Sequence, residues 1–141
     1  MSISKAIYAR ISSTAEGSTA LYALIKKRVY PAAVAEVSKM PCVGYSHVSS
    51  IPVHAMGSDP DLRCNRMQIS IYALAYEDLG PVSHLVMKQL KDYSGEPSTH
   101  VNIQRIFCED DGIDITESDP ETQVITYQRA QDYFVWYSTN V

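Results

Sequence analysis

The stretch that decides the fold is Arg63-Cys-Asn-Arg-Met-Gln-Ile-Ser-Ile-Tyr-Ala-Leu74, in which apolar and polar side chains alternate. Successive side chains of a β-strand point to opposite faces of the sheet, so residues two apart share a face. One face carries Met67, Ile69, Ile71 and Ala73, and the other carries Arg66, Gln68, Ser70 and Tyr72. The alternation predicts a strand that packs one face against a hydrophobic core.

Four further segments are rich in strand-forming residues, and one long connection is rich in proline, glycine and aspartate. The predicted strands are Arg28–Pro31, Pro41–Ser50, His100–Cys108 and Thr122–Ser138. The predicted loop is Ile51–Leu62. The polar middle of the last strand, Gln128–Asp132, favours a bulge or a kink.

The main predicted helix spans Glu77–Tyr93. Its buried stripe at helical spacing consists of Val82, Leu85, Val86, Leu90 and Tyr93. A short helix over residues 3–11 and a brief helical turn over residues 21–25 precede the first strand. This order predicts an α+β fold, an antiparallel β-sheet with one long and one short helix packed on one face and long inter-strand loops. A length of 141 residues predicts a single domain, 1–141.

The three cysteines, Cys42, Cys64 and Cys108, are far apart and form no CxxC pair. We expect buried or half-buried thiols in a reducing cytoplasm. No apolar run approaches the roughly 20 residues of a membrane-spanning helix, so no membrane association is expected. The first residues also lack the pattern of a secretory signal, which predicts a protein that works where it is made.

Charge is distributed unevenly along the chain. Residues 109–121 hold seven acids and no base: Glu109, Asp110, Asp111, Asp114, Glu117, Asp119 and Glu121. The formal net charge is −4, so the remainder of the chain is +3. A negative protein is a poor general nucleic-acid binder, because phosphates are neutralised by cations. We interpret 109–121 as a solvated hairpin loop that, in an assembly, contacts the basic run Lys26, Lys27 and Arg28 of a neighbouring subunit.

The sequence contains no dinucleotide, phosphate-loop, zinc-protease or nucleophile-elbow motif. Cys42 and His47 are five residues apart on one predicted strand, so they face opposite sides and cannot form a dyad. The acidic segment does not have the spacing of a twelve-residue calcium loop. No catalytic residue, metal site or cofactor is therefore predicted, and the tyrosines and Trp136 are assigned to packing rather than to base stacking.

Short segments in a fixed order along nearly the whole chain carry a resemblance. They are Ala6–Tyr8, Arg28–Pro31, Pro52–Gly57, Asp59, Arg66–Ala73, Val101–Phe107, Asp119–Thr122 and Phe134–Tyr137. In these segments the chain resembles the tail-completion family of long-tailed bacteriophages, described as tail terminators or head–tail joining proteins.

The resemblance implies a structural virion protein without an active site. It implies a homo-oligomeric ring, usually a hexamer, that sits at the head-proximal end of the tail and is assembled in the host cytoplasm. The ring would end polymerisation of the tail-tube protein and contact a head-side connector or adaptor, with DNA passing through its lumen without specific binding. Two alternatives remain open, another virion component (a tail-tube subunit or head-side adaptor) and a small cytosolic enzyme with a cysteine nucleophile.

The predicted loop Ile51–Leu62 is longer than a usual hairpin connection of about 2–5 residues, and such excess is commonly functional. We expect it at a face of the ring. Val53 and Met56 would supply apolar contacts, and His54 would be a polar contact rather than a catalyst. Pro52 and Pro60 would limit the entropy lost on docking.

Overall fold

The computed structural model describes residues 3–12, 19–25, 28–31, 41–52, 62–98, 101–118, 120–121 and 123–139. The helices are α1 (Ile3–Ile11), α2 (Thr19–Ile25) and α3 (Tyr76–Leu90). The strands are β1 (Val29–Pro31), β2 (Cys42–Pro52), β3 (Leu62–Ala73), β4 (Gly95–Ser98), β5 (Val101–Ser118) and β6 (Ile125–Thr139). Among the described helices, none combines the length and the apolar character needed to cross a lipid bilayer.

The six strands form one sheet in the order β1-β2-β3-β6-β5-β4. Strand β1 runs parallel to β2, and every other neighbouring pair is antiparallel. The predicted pairing of the strands that contain 63–74, 100–108 and 122–138 in one antiparallel sheet is confirmed.

The predicted α+β class is wrong, because the fold is mostly β, with the sheet curled into a half-barrel and α3 as its one main helix. The error comes chiefly from segment 109–121, which was predicted to be a loop. Most of it continues β5, so β5 reaches 18 residues and pairs along the 15 residues of β6. Long strands accumulate right-handed twist, and a sheet built from them curls.

The acidic segment is extended because β-branched residues are interleaved with its charges. Ile113 and Ile115 flank Asp114, Thr116 precedes Glu117, and all three β-branched residues pair in register with β6. The chain turns at 120–121, and Gln123 adopts a left-handed φ of 59° before β6 begins. The high charge of the segment predicts a loop, whereas its β-branched residues favour a strand.

The core lies between the sheet and the helices. The predicted face of β3 (Met67, Ile69, Ile71 and Ala73) is fully buried. Helix α3 contributes Val82, Val86 and Leu90 as buried residues, while Leu85 and Tyr93 pack against the core from its margin. The apolar side of α1 buries Ile3, Ile7 and Ile11 in the same cluster, as its spacing predicts.

Helix α3 ends three residues earlier than predicted. The backbone of Lys91 is already extended, and its N–H donates to the carbonyl of Met87. Tyr93 therefore lies beyond the helix, where the guanidinium of Arg10 stacks 3.9 Å from its ring centre. Arg10 also donates to the carbonyl of Gln89 at 2.8 Å, so this arginine joins α1 to the end of α3.

Candidate assembly surface

Near its turn, the β5–β6 hairpin contacts the start of α3 through the ion pair of Asp114 and Arg129. Arg129 on β6 donates from Nε to Oδ1 of Asp114 on β5 at 2.7 Å, and a second guanidinium nitrogen lies 3.3 Å from Oδ2. The hydroxyl of Tyr76, the first residue of α3, donates to the same carboxylate at 2.9 Å. Because a two-pronged guanidinium contact fixes orientation as well as distance, the pair holds the hairpin against the helix.

The network continues inward from Arg129. Its guanidinium donates to Oγ of Ser83 at 3.2 Å, and the carbonyl of Ser83 accepts from Gln131 Nε2 at 3.3 Å. The hydroxyl of Tyr133 in turn donates to Gln131 Oε1 at 2.7 Å. These groups satisfy one another, so a polar strip passes beneath α3 without leaving these side chains unpaired.

Electrostatics at the pair follow from its geometry. The hydrogen bond from Arg129 lowers the pKa of the Asp114 carboxyl, and the hydrogen bond from Tyr76 acts in the same direction. The hydrogen bond to Asp114 correspondingly raises the pKa of Arg129. Both groups are therefore charged over the physiological range.

The other predicted acidic site residues are distributed along the same hairpin. Glu109 is exposed on β5, and Glu121 is exposed in the turn. Asp110, Asp111 and Glu117 belong to β5, although their side chains lie outside the described part of the structure. Asp119 is also outside the described residues. Asp114 was predicted to contact basic residues of a neighbouring subunit. In the structure it is paired with Arg129 of its own chain.

The predicted basic site is described only at Arg28. Its guanidinium donates to the carbonyls of Pro41 at 2.9 Å and Leu24 at 2.8 Å, so this side chain joins the end of α2 to the start of β2. Lys26 and Lys27 lie outside the described residues.

The predicted loop is shorter than expected at both ends. Ile51 and Pro52 pair with Cys64 and Arg63, so they extend β2 rather than beginning the loop, and Leu62 belongs to β3. The remaining predicted contact residues of this loop are outside the described part of the chain, namely Val53, His54 and Met56.

An apolar strip on the face of the sheet that points away from the helices was not predicted. Its members occupy adjacent register positions on four strands: Ile51, Cys64, Trp136, Phe134 and Phe107. Ile51 is 63% exposed and Phe107 46% exposed. Such a strip is typical of protein–protein contact surfaces. The signal was present in Phe134 and Trp136, which share a face of β6 by period two, but Tyr133, Val135 and Tyr137 on the other face obscured it.

The cysteines are buried or half-buried, as predicted. Burial raises the pKa of the Cys42 thiol to about 11 and also raises the pKa of Cys64, whereas a cysteine nucleophile needs a lowered pKa. Cys42 pairs with Tyr72 and His47 with Met67, so the two face opposite sides of the sheet. Within the described ranges, no three histidine, cysteine or acidic side chains are grouped closely enough to hold a metal ion.

Comparison with known proteins gives a match at the level of structure. No protein-family model and no curated protein matches the sequence. The fold is similar to that of a chain in the solved structure titled "Virion of native gene transfer agent (GTA) particle", with a TM-score of 0.64 and 13% sequence identity. The similarity covers 95% of this chain and 92% of that chain. The protein therefore shares its fold, over nearly its whole length, with a chain of a virion particle.

Proposed function

We propose that the protein is a structural component of a phage-like virion, and that it forms a ring at the head-proximal end of the tail. In this position it ends polymerisation of the tail tube and joins the tail to the head. The observation that carries the proposal is the fold similarity to a chain of the gene transfer agent particle, which spans nearly all of both chains. The ordered sequence segments that resemble tail-completion proteins support the same placement.

The charge distribution favours head-to-tail association, in which the acidic surface of one subunit contacts the basic surface of the next. An acidic hairpin on one subunit and a basic remainder make two different surfaces that attract each other. When two different surfaces meet, each subunit is related to the next by a rotation. The contacts close into a ring if a whole number of these rotations makes one full turn. We assign the basic side of this contact to Lys26, Lys27 and Arg28, and we expect a hexamer.

The partners follow from this position. One face of the ring contacts the tail-tube protein and the other contacts a head-side connector or adaptor, while DNA passes through the lumen without specific binding. We place the loop between β2 and β3 at one of these faces, with Val53, His54 and Met56 as its contact residues and Pro52 beside them at the end of β2.

Electron microscopy of the purified protein and of particles tests the proposal. We expect rings in the purified preparation and, in lysates lacking the protein, filled heads separated from tails of abnormal length. Long tubes formed by the purified protein would instead identify a tail-tube subunit. Absence of the protein from purified particles by mass spectrometry would contradict a virion role altogether.

Two variants test the assigned contacts. Lys26→Glu with Lys27→Glu should weaken ring formation, whereas the matched double change Lys88→Glu with Lys91→Glu, at exposed positions at the end of α3, should not. Arg28 is left unchanged because it holds two main-chain carbonyls of its own subunit. Replacing residues 53–61 by a tight turn should leave the ring intact and reduce joining of heads to tails, and joining at wild-type yield would remove this loop from the proposal.

A further inference from the structure

A cavity of about 280 Å³ lies on the face of the sheet opposite the buried face of β3. Its lining includes Gly44, Ser46, Gln68, Ser70, Tyr72 and Gln128. The register explains the depression, because the small residues Gly44, Ser70 and Ala130 form one row across β2, β3 and β6. The neighbouring rows carry the longer side chains of Gln68 and Gln128, which form its walls.

The cavity has hydrogen-bonding groups but no charge, since every described side chain that lines it is uncharged. The side-chain nitrogens of Gln68 and Gln128 both donate to Oγ of Ser70, at 3.4 and 3.1 Å. Ser70 is only 6% exposed, and no described residue accepts the proton of its own hydroxyl. Leaving a buried donor without an acceptor is costly. The cavity is therefore suited to a group that brings an uncharged oxygen to Ser70.

The size and the surroundings of the cavity indicate a side chain of a protein rather than a free small molecule. Small-molecule pockets usually measure about 300–1,000 Å³, so this one is at or below the lower limit. The rows that line it continue onto β5 at Ile113 and Ile115, which are 57% and 40% exposed. Apolar area around an uncharged polar group is typical of the centre of a protein–protein contact.

The chain itself carries an amide side chain placed for such a contact. Among the asparagines and glutamines whose exposure the structure describes, only Gln104 and Gln123 are exposed. Gln104 donates to Oγ of Ser138 in its own chain. Gln123 lies between β5 and β6 with a φ of 59°, a conformation that is uncommon for residues other than glycine and is often found at functional sites. Ile125, two residues further on, is 45% exposed and provides apolar area beside the amide.

We propose that Gln123 of one copy of the chain occupies this cavity on the next copy, where its side-chain carbonyl oxygen accepts the hydroxyl proton of Ser70. The inference rests on the proposed ring and names the residues at one of its subunit contacts. The contact joins two different surfaces, so it is head-to-tail. Gly44 in the cavity pairs with Tyr30 of β1, two residues after Arg28. A hairpin end bound here therefore brings the acidic segment towards the basic run, as the charges favour.

A double-mutant cycle tests the contact. Gln123→Gly removes the amide and keeps the turn, because glycine accepts the positive φ, and Ser70→Ala removes the hydroxyl. With sedimentation velocity as the readout, we expect each change to weaken assembly about three- to tenfold. The double variant should be within about twofold of the single variants, because both changes remove the same contact.

The controls are Gln104→Ala, which removes the other exposed amide, and Ser49→Ala, which removes an exposed hydroxyl from the same face of the sheet. Both should assemble like wild type, and circular dichroism checks that every variant is folded. Wild-type assembly of Gln123→Gly, or effects that multiply in the double variant, would overturn the contact and leave the proposed ring standing. Wild-type protein that stays monomeric at all concentrations would overturn the ring and the contact together.

A cross-link tests the same contact without removing the Ser70 hydroxyl. Chains with Gln123→Cys and chains with Ser46→Cys, at the wall of the cavity, are mixed, assembled and oxidised with copper phenanthroline. We expect dimers in which peptide mapping finds a disulfide between positions 46 and 123, and each variant alone is the control for the native cysteines. Assembled mixtures that form no such disulfide would overturn the contact.

Discussion

Arg129 Nε lies 2.7 Å from Oδ1 of Asp114, and this contact joins neighbouring strands at the part of the hairpin that extends towards α3. The acidic segment is thereby held in place by one of its own charges. Most of this segment is strand rather than loop.

Removing this contact should destabilise the protein in a graded way. We expect Arg129→Ala to lower the free energy of unfolding by about 1.5–3 kcal/mol, because it deletes hydrogen bonds to Asp114 and to Ser83 together. Asp114→Asn should cost about 0–1 kcal/mol, since the pair is partly exposed. Urea unfolding measures both, with Glu109→Gln as a control that removes one exposed acid from the same strand. Equal effects of the Asp114 and Glu109 variants would contradict a specific role for the pair.

The same contact predicts a pH dependence. Its hydrogen bond lowers the pKa of Asp114 in the folded protein, so the stability it contributes is fully present above the unfolded value of about 3.9. That contribution is lost as the pH falls below this value and through the folded pKa. Carboxyl-carbon NMR should show the pKa of Asp114 below the ordinary range in wild type and raised towards it in Arg129→Ala, where the hydrogen bond from Tyr76 remains. Titration at the ordinary value in wild type would show that the pair does not form in solution.

The buried side chains of α3 should contribute to the free energy of unfolding in proportion to their burial. Leu90 is 1% exposed and packs in the central cluster, so Leu90→Ala should cost about 2–5 kcal/mol. Leu85→Ala should cost less, because Leu85 is only half-buried at the margin of the core. Lys88→Ala on the exposed side of the helix is the control and should stay within about 0.5 kcal/mol of wild type. A wild-type melting curve for Leu90→Ala would show that the helix stripe is misassigned.

The buried thiol of Cys42 should resist alkylation. Burial raises its pKa to about 11, so at pH 8.5 iodoacetamide should modify it slowly in folded protein and rapidly in urea. Because the folded pKa is raised, this thiol's contribution to stability is present below the unfolded value of about 8.5 and is lost as the pH rises towards 11. Peptide mapping by mass spectrometry reads out the modification. Rapid labelling of Cys42 in native protein would favour the cysteine-enzyme alternative instead.

The sequence alone was sufficient to predict which face of β3 and which face of α3 is buried. In each of these elements the apolar residues recur with the period of a single secondary structure. The alternation of Met67, Ile69 and Ile71 fixed the buried face of β3, and the helical spacing of Val82, Val86 and Leu90 fixed that of α3. Both signals are strong because burial on one face requires a regular apolar period.

Only the tertiary structure decided that most of the acidic segment is a strand rather than a loop. Charge is a property of composition, whereas strand extension depends on a neighbour with matching register, and β6 supplies that neighbour from Ile113 to Ser118. The partner of Asp114 could not be read from the sequence either, because Arg129 is separated from it by a turn and meets it only through the pairing of two long strands. The curl of the sheet has the same origin, since it depends on which strands lie side by side and on where each of them ends.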